Sequence, residues 1–455
     1  MRYCSTRGGV EGLSFSDSLL MGLASDGGLL IPETLPDVSD RLDEWRSLDF
    51  VSLAQEVIAL FADDIPRETL NRLVSEAYST FSHPEVIGWA DLGDVRVMEL
   101  FHGPTLAFKD VALQLLGRLF EYVLAERGEH LNILGATSGD TGSAAIAGVR
   151  GQSNIDIFIM YPNNKVSPLQ ELQMTTVADE NVHCIAVEGS FDDCQSLMKD
   201  VFGDLTFKRK FHLGAVNSVN WARVMAQIVY YGYASLKTAQ APTFCVPTGN
   251  FGNVFAAYLA RAMGFPIDQL LVATNENDIL ARFFATGEYA RGDVHFTLSP
   301  AMDIQVASNF ERFLYYYFNN DSERLRRFMT AFAETGHAEI GEPAGLDAFA
   351  ATAVDTEQTL QAVRDVHQRF GYILDPHSAV GYAASRVFAS TVSGPLVCVA
   401  TAHPAKFPDA VKRAVAQADP RHPTLDALVG LSQRKQIIEA DIEAVKGVIR
   451  AGVSG

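Results

Sequence analysis

Between residues 95 and 249 five short apolar runs each end in a turn, and no other feature constrains the fold as much. They are VRVMEL (95–100), LNILGA (131–136), IDIFIMYP (155–162), NVHCIAVEG (181–189) and TFCVPTG (243–249). Each is too short for a helix, and its apolar residues do not alternate with polar ones, so both faces expect burial. Helical patterns such as SAAIAGVR and VFAAYLARAMG lie between the runs. Strands buried on both faces and separated by helices predict a mostly parallel sheet covered on both sides, the α/β class. PLVCVA (395–400) reads as one more such strand. Residues 1–95 differ, with short helical patterns between Gly, Pro and Asp clusters such as SDGGLLIPETLPD. Near the end, RKQIIEADIEAVKGVIR places Ile438, Ile442, Val445 and Ile449 at helical spacing and predicts a single amphipathic helix.

Charge and cysteine usage narrow the function. A formal charge of −19 argues against a nucleic-acid or anionic-membrane partner, because a phosphate backbone needs a basic surface. An anionic ligand would have to be held by main-chain dipoles and a few placed cations. No apolar run reaches the roughly 18–20 residues of a membrane span, and MRYCSTRGGVEG lacks a signal-peptide core. Five cysteines without a C-x-x-C pair predict reduced thiols, a cytoplasmic location and no metal centre.

The loops must then supply the chemistry, because ligands of open α/β sheets gather beyond the carboxyl ends of the strands. HGPTLAFKD (102–110) sets Lys109 between a turn and the apolar stretch VALQLLGRLFEYVL. If a buried helix starts near Phe108, desolvation and the helix dipole both favour the neutral amine, as imine chemistry requires. The other reading is a lysine reaching the surface in an ion pair with Asp110. GATSGDTGSAA (135–145) and PTGNFGNVFAA (247–257) each run strand, glycine turn, helix. Such turns hold a phosphate or carboxylate on backbone N–H groups, or merely connect elements. The second lacks the Lys-Ser/Thr of a P-loop and does not fit G-x-G-x-x-G. VATAHPAKF (399–407) puts the uncharged hydroxyl of Thr401 just past a strand, and His403 there is either catalytic or an ordinary loop histidine.

Taken together and in this order, HGPTLAFKD, SGDTGSAA, GNFGN and TAHPAKF resemble the fold type II pyridoxal-phosphate enzymes, and within them the threonine synthase family. YCSTRG, LASDGGLLIPE, YPNNKVSPLQELQM, NSVNWARVMAQIVYY, SNFERFLYY and DPHSAVGYAA resemble segments of the same family, so the likeness covers nearly the whole chain. It implies two open, mostly parallel sheet domains with the cofactor between them, behind a mainly helical N-terminal domain of the long form. The corresponding segments are 1–95, 96–240 with Lys109 and the SGDTG loop, and 241–455 with the GNFGN loop and Thr401.

Residue by residue, the resemblance implies that Lys109 is the lysine joined covalently to pyridoxal phosphate. It implies that Gly249, Asn250, Phe251, Gly252 and Asn253 wrap the cofactor phosphate and that Thr401 faces the pyridine nitrogen. Thr137, Ser138, Asp140 and Thr141 match the loop beside the ring hydroxyl and the substrate carboxylate. Many fold type II enzymes carry asparagine at the position of Asp140. A carboxylate there is expected to be protonated or turned away from the substrate. Lys165 and Arg223 fall in family-like segments and are the candidate cations for the substrate phosphate; each is otherwise a surface ion-pair residue. The implied reaction converts O-phospho-L-homoserine and water to L-threonine and phosphate, in a monomer or homodimer. The alternatives are a phospholyase of the same kind, releasing ammonia and a keto acid, and a catalytically idle binding protein that kept the fold.

Overall fold

The computed structural model describes every residue except 138, 216–217, 342–343 and 454–455. The apolar runs are strands: Val95–Glu99, Leu131–Ala136, Ile155–Pro162, Val182–Glu188, Thr243–Pro247 and Leu396–Ala400. They divide between two sheets. The larger has six strands in the order Phe349–Ala353, Leu270–Thr274, Thr243–Pro247, Leu396–Ala400, Val95–Glu99, Gly88–Asp91. All neighbours are parallel except the last pair, an antiparallel hairpin at one edge. The smaller sheet is parallel throughout and runs Gln436–Glu439, Val182–Glu188, Ile155–Pro162, Leu131–Ala136, Leu213–Gly214. Every residue of Ile155–Pro162 is buried, as a central strand covered on both faces requires.

The sheets are not successive halves of the chain. Val95–Glu99, which leads to Lys109, pairs with Leu396–Ala400, while Gln436–Glu439 returns to pair with Val182–Glu188. This last strand departs from the single amphipathic helix predicted over the C-terminal segment. Asp441 caps a helix that starts only at Ile442, its carboxylate accepting from the N–H of Ala444 at 2.9 Å. Ile438 therefore sits in the strand, and its helical spacing from Ile442 is a coincidence of two adjoining elements.

The N-terminal segment contributes a two-stranded ribbon, Tyr3–Ser5 with Leu30–Pro32, and the helices Phe15–Met21, Phe50–Ala59 and Arg67–Tyr78. It is built onto the rest by Trp221–Leu236, a helix buried along its whole length that packs on Phe50–Ala59, Lys109–Arg127 and Gly252–Ala262. Arg312, fully buried, donates to the carbonyl of Leu30 at 3.0 and 2.9 Å and ties the ribbon down. Helices Lys109–Arg127 and Asp140–Val149 cross with their backbones in contact: a Cβ on Gly117 would lie 1.9 Å from the carbonyl oxygen of Gly148. Only glycine permits that approach. Among the described residues no helix is long and apolar enough to cross a membrane, and the five cysteines are free thiols.

Candidate active site

Three neighbouring strands of the large sheet deliver three of the motif loops side by side. Thr243–Pro247 leads to GNFGN, Leu396–Ala400 to Thr401, and Val95–Glu99 to Lys109. Backbone bonds join the last two loops: the N–H of Phe108 donates to Thr401 at 2.8 Å, and that of His403 donates to Leu106 at 3.0 Å. Thr401 is further fixed by its own N–H, which donates to Ser378 Oγ at 3.1 Å, and Ser378 in turn donates to Asp375. The Thr401 side chain makes no hydrogen bond to the described residues.

Lys109 is the first residue of the helix Lys109–Arg127, whose N-terminus no side chain caps. Its Nζ lies 3.9 Å from Asp140 Oδ2. Burial lowers the pKa of the amine, and the charges of Arg223 and Lys406 lower it further; Asp140 and Asp110 only partly oppose them. The ion pair with Asp110 does not form. That carboxyl accepts instead from the N–H and hydroxyl of Thr105 at 2.8 and 2.6 Å, shaping the turn before Lys109, and burial pushes its pKa up to about 6.

The fourth loop arrives from the other sheet, beyond Leu131–Ala136. Thr137 gives it its shape, its hydroxyl accepting from the N–H groups of Gly139 at 3.1 Å and Gly142 at 2.9 Å. Gly139 is required here: φ is 142°, and a Cβ would lie 2.5 Å from the Gln170 side chain. Thr141 stands half-buried on the first helical turn with no side-chain bond to the described residues, and Ser138 lies outside them.

Asp140 is neither protonated nor free. Lys406 Nζ meets its Oδ1 at 3.0 Å, and Gln170 Nε2 donates to the same oxygen at 2.8 Å. Burial alone would raise its pKa. Lys406, Lys109 and His377 outweigh burial and hold it well below the usual carboxylate range. Lys406 is the residue that sequence reasoning missed. Fully buried, it also donates to the carbonyl of Thr105 at 2.6 Å and to Gln173 Oε1 at 2.9 Å. It thereby ties the loop before Lys109, the loop of Asp140 and the helix Pro168–Thr175 to one ammonium group.

In the GNFGN loop the aromatic residue turns inward. Phe251 adopts φ 65° and packs edge-on against Phe310 with ring centroids 5.2 Å apart. That anchor leaves the N-terminus of Gly252–Ala262 without a side-chain cap. Asn250 Oδ1 accepts from Ser308 at 3.1 Å. Asn253 Oδ1 accepts from the hydroxyls of Tyr230 and Tyr231, while its buried Nδ2 has no partner among the described residues.

The two candidate cations separate. Arg223 is buried in Trp221–Leu236, with Nε and Nη1 unpartnered among the described residues, and its charge acts on Lys109. Burial pulls its pKa down to about 10. Lys165 is exposed, and the groups its charge acts on are Asp193 and Cys194. No described contact brings it to the other site residues.

His403 is an ordinary loop histidine, its Nδ1 accepting from the N–H of Ala405 at 3.1 Å. Burial and the neighbouring His422 lower its pKa to about 4. Above pH 6.5 it is neutral folded or unfolded; below, the unfolded ring takes up a proton that the folded ring refuses. Its contribution to stability is therefore lost as pH falls from 6.5 towards 4. Calorimetry across that range is expected to show a falling Tm whose slope is reduced in His403→Gln.

Comparison with known proteins agrees with this geometry. Residues 2–78 match the family model described as threonine synthase N terminus, 92–402 that of pyridoxal-phosphate-dependent enzymes, and 378–449 that of threonine synthase, C-terminal. A threonine synthase of Pseudomonas aeruginosa is 46% identical, covering 99% of this chain and 98% of its own. The chain belongs to the threonine synthase family. Among solved structures, the pyridoxal-phosphate-bound threonine synthase of Brucella melitensis superposes with a TM-score of 0.96 at 45% identity, covering 100% of both chains. The yeast threonine synthase gives 0.94 at 40% identity, covering 99% of this chain and 98% of its own. The expected fold type II architecture and the pyridoxal phosphate requirement stand with the family.

The residues present fit that cofactor. An uncapped helix N-terminus offers N–H donors to a phosphate, and the unpartnered Asn253 Nδ2 adds a buried donor on the first turn. A Cβ on Gly249 would lie 2.7 Å from the carbonyl of Ala301, so the loop tolerates no side chain there without shifting. At Gly252 a Cβ would sit 3.1 Å from the amide of Asn309. Gly252→Val is accordingly expected to weaken pyridoxal phosphate binding by about tenfold, equivalent to about 1.4 kcal/mol, measured by fluorescence titration of the apoenzyme.

Proposed function

We propose that this enzyme converts O-phospho-L-homoserine and water to L-threonine and phosphate, with Lys109 as both cofactor anchor and proton carrier. The observation that carries the reading is the position of Lys109: an amine on a side chain only 11% exposed, at a helix start where loops from two sheets converge. When bound, pyridoxal phosphate supplies an electron sink for the electron pair left at the substrate Cα.

The chain supplies the rest. The amine of Lys109, whose neutral form is favoured by burial and by Arg223 and Lys406, accepts the proton from Cα, passes it on, and then takes one from Cβ that it can return at Cγ. Loss of phosphate from Cγ is followed by protonation there and by addition of water at Cβ. One water is consumed for each threonine and phosphate formed. Arg223 is proposed to take the phosphate of the substrate, because its unpartnered guanidinium nitrogens need a buried anion. The first turn of Gly252–Ala262, with Gly249, Asn250 and Asn253, is assigned to the phosphate of the cofactor. Phe251 acts through its packing. Thr401 presents a neutral hydroxyl to the pyridine nitrogen, and Thr141 stands towards the substrate carboxylate. Asp140 acts through Lys109, not on the substrate. The free thiols support a reducing compartment such as the cytoplasm.

The deciding experiment quantifies threonine and phosphate together after adding O-phospho-L-homoserine to the purified holoenzyme. Equal amounts are expected. Phosphate accompanied by 2-oxobutyrate without threonine would overturn the synthase reading in favour of a phospholyase, and neither product would overturn the substrate assignment.

A further inference from the structure

An open pocket of about 570 Å³ lies where the N-terminal helix Arg67–Tyr78 meets the helices Lys109–Arg127 and Asp140–Val149. It is lined by residues from all three, including Gly148 at the backbone contact between the last two. None of its lining residues belongs to the site described above.

Most of its charges are already matched. Arg72 pairs with Glu76 at 2.8 Å and Arg150 with Asp179 at 2.7 Å, while Glu121 accepts from Ser153 at 3.1 Å and has no cation partner among the described residues. Arg118 is the unmatched cation. No carboxylate of a described residue lies within ion-pair distance, and its one hydrogen bond, to the carbonyl of Gln114, is long at 3.4 Å. Beside it Gln114 is only 2% exposed, yet its Nε2 donor has no partner among the described residues. Gln152 donates from Nε2 to Gly148 at 3.1 Å, while its buried Oε1 acceptor is also unpartnered. The pocket thus offers one unmatched cation, one unmatched carboxylate, one unmatched donor and one unmatched acceptor. Buried polar groups in native proteins are almost always paired, and these two amides, beside a half-buried arginine without a counter-ion, point to a ligand.

We infer that this pocket is a second binding site, separate from the catalytic one, for a free α-amino acid. The carboxylate is taken by the fork of Arg118 and by Gln114 Nε2. The ammonium is taken by Gln152 Oε1, once its amide turns towards the pocket, in the field of Glu121, which no cation neutralises. Leu73 and Tyr122 cover the amino acid's side chain. A phosphate dianion suits the pocket less well, because it would face the uncompensated Glu121 with only Arg118 left to neutralise both. Since the pocket joins an N-terminal helix to the helix that begins at Lys109, its occupant holds those two elements together.

The test uses the holoenzyme and the twenty protein L-amino acids singly, screened by thermal shift and then measured by calorimetry. The visible absorption of the cofactor is recorded at each saturation to separate this pocket from the catalytic site. At least one amino acid is expected to bind at millimolar concentration or below without altering that absorption. The affinity is expected to fall at least tenfold in Arg118→Ala and in Gln152→Ala, with turnover of O-phospho-L-homoserine unchanged in both. Should Arg118→Ala fold poorly, Arg118→Lys, which keeps the charge and loses the fork, takes its place. The inference is overturned if no amino acid binds under these conditions, if both variants bind as the parent does, or if inorganic phosphate occupies the pocket more tightly than every amino acid.

Discussion

Lys109→Ala is expected to lower threonine formation by about 10⁴-fold or more and to remove the visible absorption of the bound cofactor. The kinetic loss reflects the removal of a general base and of the covalent anchor together, and general-base catalysis alone contributes about 10²–10⁴-fold. The fold should be spared. Asp140 keeps Lys406 at 3.0 Å and Gln170 at 2.8 Å, so deleting the more distant amine, 3.9 Å away, strands no buried charge. Turnover, absorption and thermal melting measured on one preparation check all three. Retention of turnover together with the absorption band would place the anchor on another residue.

Lys406→Met should act in the opposite sense, on stability first. It leaves the Asp140 carboxylate without its nearest cation in a buried site, a change that costs about 3–5 kcal/mol where one partner of a buried pair is removed. The carboxylate then turns to Lys109. Two influences on Lys109 change together: a cation that lowered its pKa is gone, and the anion that raises it is unshared. The amine is held protonated, so the rising limb of the pH–rate profile is expected to move to higher pH, with about a hundredfold loss at neutral pH. Adding Asp140→Asn to Lys406→Met should recover much of the stability, since neither charge then remains. A double-mutant cycle in urea measures that coupling. Equal losses in the single and double variants would show that Lys406 acts through packing alone.

The sequence readings that held were local ones. A strand buried on both faces reads as an apolar run wherever it occurs, so Ile155–Pro162 and Leu396–Ala400 were legible from a few letters each. The low exposure of Lys109 was one of the two readings its segment left open, since an ammonium group contradicts the apolar stretch around it. Lys406 stands in the motif TAHPAKF and carried no such contradiction, for a lysine in a proline-containing loop looks like surface. What buries it is the convergence of Thr105, Gln173 and Asp140, contacts that span 301, 233 and 266 residues of chain. No local pattern encodes that meeting. The acidic residue in SGDTG was the available hint, since a carboxylate where asparagine is common asks for a compensating cation. Ile438 failed for another reason: a strand end and a helix start happened to share the spacing of one helix.

The pairing of Val95–Glu99 with Leu396–Ala400 also has a bearing on how the protein is made. The strand that carries the chain to Lys109 leaves the ribosome about 300 residues ahead of its inner neighbour. At roughly 5–20 residues per second that is an interval of about 15–60 s. During it the nascent chain holds an apolar strand with one side paired only to the short hairpin partner Gly88–Asp91 and the other side open. An open apolar edge is a template for pairing with other chains. The enzyme's yield in a cell should therefore depend on whatever shields that edge until the last third of the polypeptide has emerged.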